Sequence, residues 1–226
     1  MNRSLSFIAE MVHTLEGVEV ITYHVTGSPA YLRLQPAETV YLLENGVAAL
    51  FLQREGLPDI ALSLVRAGEL FGEHGLFGEH HRYSPVAGLL TTSTVARIPN
   101  ASLLEKCKEH PDWALDLARL ASRRQAEWAV RIESILREPV GPRVIRCLVE
   151  LSDAFAYTPG LDGPARIPIT QSVLANLVGV TRESVSHKLN ELERTGMVVL
   201  ARGAIEIPVV GRLRQSVPVM PGSAQA

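Results

Sequence analysis

Six polar residues follow Val180 at a spacing that would place them on the exposed side of one helix. They are Thr181, Arg182, Glu183, Ser186, His187 and Lys188. An arginine guanidinium can donate two hydrogen bonds to the edge of a guanine, and a carboxylate can accept one from the amino group of a cytosine. Histidine and lysine one turn later are able to contact a base edge or a phosphate. The combination predicts a helix whose N-terminal half lies in the major groove of duplex DNA.

The neighbouring residues predict the helix-turn-helix that would present those side chains. Gly179 suits the left-handed backbone that ends a first helix, Thr181 is a helix-capping residue, and Ala175 is small enough for a close crossing of two helices. The predicted buried face is Leu174, Leu177, Val180, Val185 and Leu189. Thr170 and Gln171 begin the first helix, where they are placed to bind phosphate. The alternative is a helical hairpin that binds no DNA.

A short hairpin after the second helix favours the DNA-binding interpretation. Residues 197–200 and 204–207 are strand-like and flank the turn dipeptide Arg202-Gly203. Such a hairpin in this position is typical of a winged helix-turn-helix. Residues 139–226 carry nine Lys and Arg against seven Asp and Glu, whereas the whole chain has a formal net charge of −2. A polyanionic partner is therefore expected at the C-terminal end.

A long helix should precede this region, because residues 112–137 contain no Gly or Pro. Small and apolar residues recur in it with alternating spacings of four and three, which is the pattern of a coiled-coil seam. The seam is Ala114, Ala118, Ala121, Gln125, Trp128, Ile132 and Ile135. We expect it to be the interface of a homodimer. The alternative is that the stripe packs only on the chain's own β domain.

The first hundred residues predict an antiparallel β-roll, because short apolar runs alternate there with turn signals. Asn45-Gly46 is expected to be a tight hairpin between strands at 39–43 and 47–52. The predicted fold class is α+β. The predicted division is a sensor-like β-roll at 1–110, a dimerisation helix at 111–138, a winged helix-turn-helix at 139–215 and a flexible tail at 216–226.

The composition argues against several other classes of protein. Of the 226 residues, 46% are hydrophobic and 20% are charged, as in an ordinary globular protein, and no apolar run is long enough to span a bilayer. Cys107 and Cys147 form no CxxC pair, which disfavours a disulfide framework, a zinc site and an iron–sulfur cluster. A haem or metal sensor could use His74, His80 or His81, but His80 and His81 are expected to be solvated on a turn, so no metal is predicted. No catalytic motif is present. We expect a cytoplasmic protein that is not an enzyme and has no membrane partner.

These motifs together resemble the cyclic-AMP receptor/FNR (Crp/Fnr) family of bacterial transcription regulators. The resemblance covers about residues 15–210 and is carried by the runs 37–46, 68–73 and 178–185, together with the long helix. It implies that Arg182 and Glu183 recognise a TGTGA-like half-site, with His187 standing where the family usually has arginine. It also implies activation through RNA polymerase, which would contact the loop at residues 157–166.

The same resemblance implies a β-roll able to bind a cyclic nucleotide. Gly72 and Glu73 match the pair that holds the ribose. The pair that holds the phosphate falls on Tyr83 and Ser84, with Arg82 displaced by one residue, and Trp128 falls on the adenine contact. Tyrosine carries no charge to offset a phosphate. We therefore expect a regulator that is active without cAMP. A one-residue gap would restore Arg82, so a cAMP-dependent regulator stays an alternative, as does a small-molecule-binding module that does not bind DNA.

Overall fold

A computed structural model describes residues 12–35, 38–53, 59–76, 86–156, 160 and 162–217. The chain forms two compact units, Met1–Ile132 and Glu133–Ala226, and the boundary falls inside the long helix. No helix in the described ranges is both long and apolar enough to cross a membrane. Arg82, Tyr83, Ser84, His80 and His81 lie outside the described residues, and so do residues 218–226 of the predicted tail.

The described residues of the first unit form eight antiparallel strands in two sheets. The strands are β1 (Glu19–Tyr23), β2 (Ala30–Arg33), β3 (Thr39–Asn45), β4 (Val47–Leu52), β5 (Ile60–Arg66), β6 (Glu69–Phe71), β7 (Val86–Leu89) and β8 (Ser93–Pro99). The orders are β1-β8-β3-β6 and β2-β7-β4-β5. β3 and β4 are buried along nearly their whole length, and their apolar side chains form part of the core. The predicted β-roll is confirmed.

The predicted hairpin at Asn45-Gly46 is wrong. β3 pairs with β6 and β8, whereas β4 pairs with β5 and β7, so the two strands on either side of Gly46 belong to different sheets. Gly46 has a φ of 100°, but no residue other than glycine has a positive φ in the described chain, so Asn45 cannot form the expected two-residue turn. A Cβ on Gly46 would lie 2.2 Å from Oγ of Ser93. The dipeptide is the corner at which the chain passes from one sheet to the other.

Two α-helices follow β8: α1 (Asn100–Glu109) and α2 (Pro111–Arg137), the predicted long helix, whose last residues belong to the second unit. Trp113, Leu117 and Leu120 of α2 are buried in one cluster with residues of the first sheet. The next residue on the same face of α2 is Arg124, a charged residue whose side chain is nevertheless buried. One face of α2 therefore packs on the β-roll of its own chain.

The second unit is built on α3 (Val140–Phe155), α4 (Gln171–Val178) and α5 (Arg182–Arg194), followed by α6 (Val210–Gln215). A three-stranded antiparallel sheet has the order β10 (Val199–Ala201), β11 (Ala204–Ile207), β9 (Ala165–Ile167). Its core includes Leu148, Leu174 and Leu189, which are fully buried. The predicted helix-turn-helix and its wing are confirmed, with β9 as a third strand that the sequence did not indicate.

Candidate nucleic-acid interface

The turn between α4 and α5 is defined by local hydrogen bonds. Gly179 has a φ of 72°, and its N–H donates to the carbonyl oxygens of Ala175 and Asn176. The N–H of Val180 donates to Ala175 at 3.1 Å. This is the Schellman arrangement, which requires a left-handed residue at the end of the helix and therefore favours glycine. Ala175 is 3% exposed, as expected for a close helix crossing.

Threonines cap both helices. Thr170 precedes α4, and its Oγ1 accepts a hydrogen bond from the N–H of Val173 at 3.3 Å. Thr181 precedes α5 and accepts from the N–H of Ser184 at 3.3 Å, while the Ser184 hydroxyl lies 3.0 Å from that of Thr181. Glu183 in the first turn of α5 also suits the positive end of the helix dipole. The caps fix where α5 begins, and hence which side chains stand at its exposed end.

The structure divides the six predicted DNA-contacting residues of α5 into two groups. Thr181, Arg182, Glu183 and His187 are exposed, and we call these four residues the recognition surface. Ser186 is half-buried. Lys188 is 17% exposed, and its Nζ lies 2.9 Å from Oε1 of Glu191. This hydrogen bond lowers the pKa of Glu191.

Residues around α4 differ in part from the predicted pattern. Thr170 and Gln171 are half-buried at its start, and the predicted apolar face is buried except for Val180, which is half-buried. Val180 lies in the turn, where it is only partly covered by the two helices.

On the wing, Arg202 is exposed in the turn between β10 and β11, beside Gly203 with a φ of 70°.

One residue of this region was missed by the sequence analysis. Arg143 in the first turn of α3 is 7% exposed, and its Nη2 donates to the carbonyl oxygens of Val178 and Gly179. Those carbonyls lie 35 and 36 residues away in the sequence. No local motif marks such a contact, because an arginine near the start of a helix is ordinarily solvated.

The second predicted site lies in the first unit, where Gly72 has a φ of 84° and Glu73 is 6% exposed. The Oε1 atom of Glu73 lies 3.5 Å from Nε of Arg124. Arg124 in turn donates to the carbonyl oxygen of Leu70 at 2.9 Å and to Oγ of Ser63 at 3.2 Å. The Oε2 atom of Glu73 is buried without a hydrogen-bond partner among the described residues. The structure therefore pairs the predicted carboxylate with a buried arginine that the sequence analysis did not single out.

The predicted seam of α2 is divided between two faces. Ala118, Gln125 and Ile132 are exposed, whereas Ala114, Ala121, Trp128 and Ile135 are partly buried within the single chain. The Nε1 atom of Trp128 is shielded from solvent and has no hydrogen-bond partner in the described chain. Large apolar side chains on the open side of α2 include Leu115 and Leu136, which are 59% and 77% exposed.

Comparison with known proteins agrees with this architecture. A cyclic nucleotide-binding domain matches residues 27–110, and a Crp-like helix-turn-helix domain matches residues 142–216. The Cyclic AMP receptor protein of Thermus thermophilus is 30% identical over 181 residues, which cover 80% of each chain. The chain belongs to the Crp/Fnr family.

Two further relatives support this membership. The Transcriptional regulator SdrP of Thermus thermophilus is 32% identical over 175 residues, covering 76% of this chain and 80% of that protein. A crystal structure of a CRP/FNR-family transcriptional regulator from the same organism has a TM-score of 0.69 and 27% identity over 88% of this chain and 98% of its own. The protein is accordingly a DNA-binding transcription regulator of the Crp/Fnr type. The family consists of transcription regulators and not of enzymes.

Proposed function

We propose that this Crp/Fnr protein binds a TGTGA-like pseudo-palindrome as a homodimer, activates transcription, and does so without cAMP. The observation that carries the proposal is the exposure of Arg182 and Glu183 at the capped N-terminus of α5. Arg182 donates to a guanine and Glu183 accepts from a cytosine amino group. His187, one turn further, sets the preference at the outer base pair. Ser186 and Lys188 stand at the edge of this surface and contact the sugar-phosphate backbone.

Backbone contacts would place the recognition helix in its groove. Thr170 and Gln171 begin α4, and the Thr170 hydroxyl that caps this helix still has its own proton to donate to a phosphate. Thr181 caps α5 in the same way, but its hydroxyl also lies 3.0 Å from that of Ser184, so it donates to a phosphate when Ser184 is the donor of that pair. These contacts carry no sequence information, so their loss would weaken binding to all duplexes about equally.

A dimer is supported by a stripe of exposed residues along α2. The stripe repeats with alternating spacings of three and four, and it consists of Leu115, Ala118, Ser122, Gln125, Ala129, Ile132 and Leu136. We take this stripe as the interface in place of the predicted seam, from which it differs at every second position by one residue. A row of exposed leucine and isoleucine is stabilised when a second copy covers it. Two recognition helices would then enter successive major grooves about 34 Å apart.

The interface is tested by sedimentation of the full-length protein. Ile132→Lys places a charge in the stripe and is expected to convert the dimer to monomer, because an unpaired buried charge is strongly unfavourable. Val130 is equally exposed, at 50% against 49%, but lies off the stripe, so Val130→Lys is the matched control. Trp128 belongs to the predicted seam but lies off the stripe, so Trp128→Ala is expected to weaken the dimer less than Ile132→Lys. An unchanged sedimentation coefficient for Ile132→Lys would exclude this interface.

Independence from cAMP is supported by the environment of Glu73. Its carboxylate faces the buried guanidinium of Arg124, so the charge is balanced within the protein. Tyr83 and Ser84 stand where the family's phosphate contacts fall, and tyrosine supplies no positive charge. The phosphate half of the pocket, Arg82 to Ser84, lies outside the described residues.

A cAMP-dependent regulator is the second candidate, and one observation favours it. The Oε2 atom of Glu73 is buried with no hydrogen-bond partner in the described chain, so a ribose hydroxyl would satisfy it. Calorimetry with cAMP separates the two candidates. Micromolar binding accompanied by tighter association with DNA would favour the second.

Activation is proposed to involve the predicted loop at residues 157–166, although Ala165 and Arg166 lie in strand β9. Two contacts support the proposal: the N–H of Gly160 donates to Oδ1 of Asp153 at 2.9 Å, and Arg214 pairs with the same carboxylate. That pairing raises the pKa of Arg214. In vitro transcription with Pro164→Ala and Asp162→Ala variants that still bind DNA is the test. Unchanged activation would remove the loop from the proposal.

DNA recognition itself is tested by selection of duplexes from random-sequence DNA, with and without cAMP. Enrichment of TGTGA and TCACA half-sites in both conditions is the expected result. Enrichment only in the presence of cAMP would overturn the proposed independence from the nucleotide. Enrichment of no sequence would overturn the proposal of sequence-specific recognition.

A further inference from the structure

We propose that Arg143 is a positioning residue for base recognition, because it fixes the turn from which α5 projects. The inference rests on the function proposed for the recognition surface. Arg143 lies in the first turn of α3 and is more than nine-tenths buried. Its Nη2 donates to the carbonyl oxygen of Val178, and to that of Gly179 at 3.3 Å. One guanidinium thus holds two successive peptide groups of the turn.

The hydrogen bonds of the turn explain why an external donor is needed there. The last carbonyls of a helix have no partner within the helix. The N–H groups of Gly179 and Val180 satisfy the carbonyls of Ala175 and Asn176. The next acceptors in the turn include Val178 and Gly179, and Arg143 supplies their donor. The arginine therefore completes the hydrogen bonding that the Schellman motif begins.

Electrostatics favours a cation at this point. The C-terminal end of α4 carries the negative end of the helix dipole, which stabilises a guanidinium placed against it. Burying that charge is costly unless its donors are matched by acceptors. Guanidinium geometry is rigid and planar, so Arg143 holds the two carbonyl oxygens at fixed positions, whereas a lysine ammonium would not.

The same turn of α3 also lies close to a side chain of α5. A Cβ built on Gly141 would lie 3.4 Å from Cε of Lys188, so the Lys188 side chain passes beside this turn. Arg143, two residues later, holds the turn that precedes α5. The first turn of α3 thus adjoins both the recognition helix and its connection to α4.

The consequence for recognition follows from the short distance along the chain. Thr181, which caps α5, comes two residues after Gly179, and Arg182 follows at once. A shift of the Gly179 carbonyl moves the start of α5 and with it the guanidinium of Arg182. Bidentate contacts with a base edge depend on direction, whereas phosphate contacts tolerate small displacements. Losing Arg143 should therefore reduce discrimination between sequences more than it reduces binding to DNA in general.

The experiment compares two duplexes bound by the full-length protein. One is the duplex that the wild-type protein enriches from random DNA, and the other has its half-sites scrambled. Arg143→Met is expected to lower the ratio of the two affinities by about tenfold, which is within the discrimination that a bidentate base contact supplies. Arg143→Lys should lie between the wild type and Arg143→Met. Arg214→Met is the matched control, because it removes an arginine that bonds Asp153 near the other end of α3.

Amide hydrogen exchange provides a readout that does not depend on DNA. Faster exchange at Gly179, Val180 and Thr181 is expected in Arg143→Met and not in Arg214→Met. If Arg143→Met fails to fold, the same two measurements on Arg143→Lys decide the matter. An unchanged ratio of the two affinities would overturn the inference, whether or not both affinities fall. If the wild-type protein enriches no sequence, the proposed sequence-specific function is wrong, whatever the role of Arg143. If amide exchange in Arg143→Met equals that of the wild type, Arg143 does not hold the turn.

Discussion

Two arginine–glutamate combinations occupy opposite environments in this protein. Arg182 and Glu183 are adjacent in the sequence and exposed at the start of α5. Arg124 and Glu73 are 51 residues apart, and both are at least nine-tenths buried, with Nε and Oε1 separated by 3.5 Å. The exposed side chains are available to a ligand, whereas the guanidinium of Arg124 is held by Glu73 and by the backbone of β5 and β6. The role of each combination is therefore set by burial and by its partners, and the residue types alone do not distinguish them.

The largest effect is expected from breaking the buried pair. Arg124→Met leaves the carboxylate of Glu73 buried without its counter-charge, and it removes hydrogen bonds to Ser63 and Leu70. We expect the free energy of unfolding to fall by about 3–5 kcal/mol, as for other buried pairs that lose one partner. Urea denaturation followed by circular dichroism measures it.

A double variant sharpens this test. Arg124→Met combined with Glu73→Gln removes both charges and should recover part of the lost stability, because no unpaired ion is left inside. Arg119 pairs with Asp116 on the surface and is 70% exposed, so Arg119→Ala is the control. If Arg124→Met cost no more than Arg119→Ala, the buried pair would contribute nothing special to stability.

A smaller effect, on a different property, is expected from the exposed combination. Arg182→Ala should weaken binding to the selected duplex by about 1–3 kcal/mol and relax the preference at one base position. Stability should change by less than about 0.5 kcal/mol, since an exposed surface residue is removed. Gel shifts on duplexes with single-base changes measure the preference.

Arg194 provides a control on the same helix, because it is exposed at the opposite end of α5. Arg194→Ala should leave the base preference unaltered. If Arg182→Ala weakened binding to every duplex equally, Arg182 would be a phosphate contact. The exposed combination would then have no role in base recognition.

The smallest effect is expected at Thr181, an exposed residue that also has a structural role. Thr181→Ala removes the acceptor for the N–H of Ser184 and should cost about 1 kcal/mol of stability. Thr181→Ser keeps the acceptor and should cost much less. Thermal unfolding of the two variants measures the difference. Equal midpoints for Thr181→Ala and Thr181→Ser would show that the cap does not stabilise α5.

Local signals explain which elements were predicted correctly. The helix-turn-helix was predicted because its caps, its glycine and its apolar face lie within twenty consecutive residues. The long helix was predicted because no glycine or proline interrupts it. The Asn45-Gly46 hairpin was wrong because the dipeptide favours a turn without specifying which strands pair across it, and the pairing is decided by β6 and β8 for one strand and by β5 and β7 for the other.

The seam of α2 shows a subtler limit. Helical periodicity predicted a seam on this helix, but it did not distinguish two sets of residues that differ by one at alternate positions. Ala114 and Trp128 fit the spacing as well as Leu115 and Ala129 do, because both sets share Ala118, Gln125 and Ile132 and both repeat every 3.5 residues on average. Exposure in the folded chain separates the two sets, since one of them adjoins the face that packs on the β-roll.

From its order of residues alone, the chain determined the long helix, the helix-turn-helix and the run of side chains that begins α5, since each depends on neighbours within a few residues. Its short apolar runs also indicated the strands of the β-roll, although their pairing joins residues as far apart as Glu19 and Arg97. Only the folded structure decided that Arg124 lies beside Glu73 and that Arg143 holds the turn at Gly179. Both contacts join residues dozens of positions apart. Hydrogen bonds and ion pairs of that kind form only after the strands and helices have packed, when burial removes the water that would otherwise solvate the two guanidinium groups.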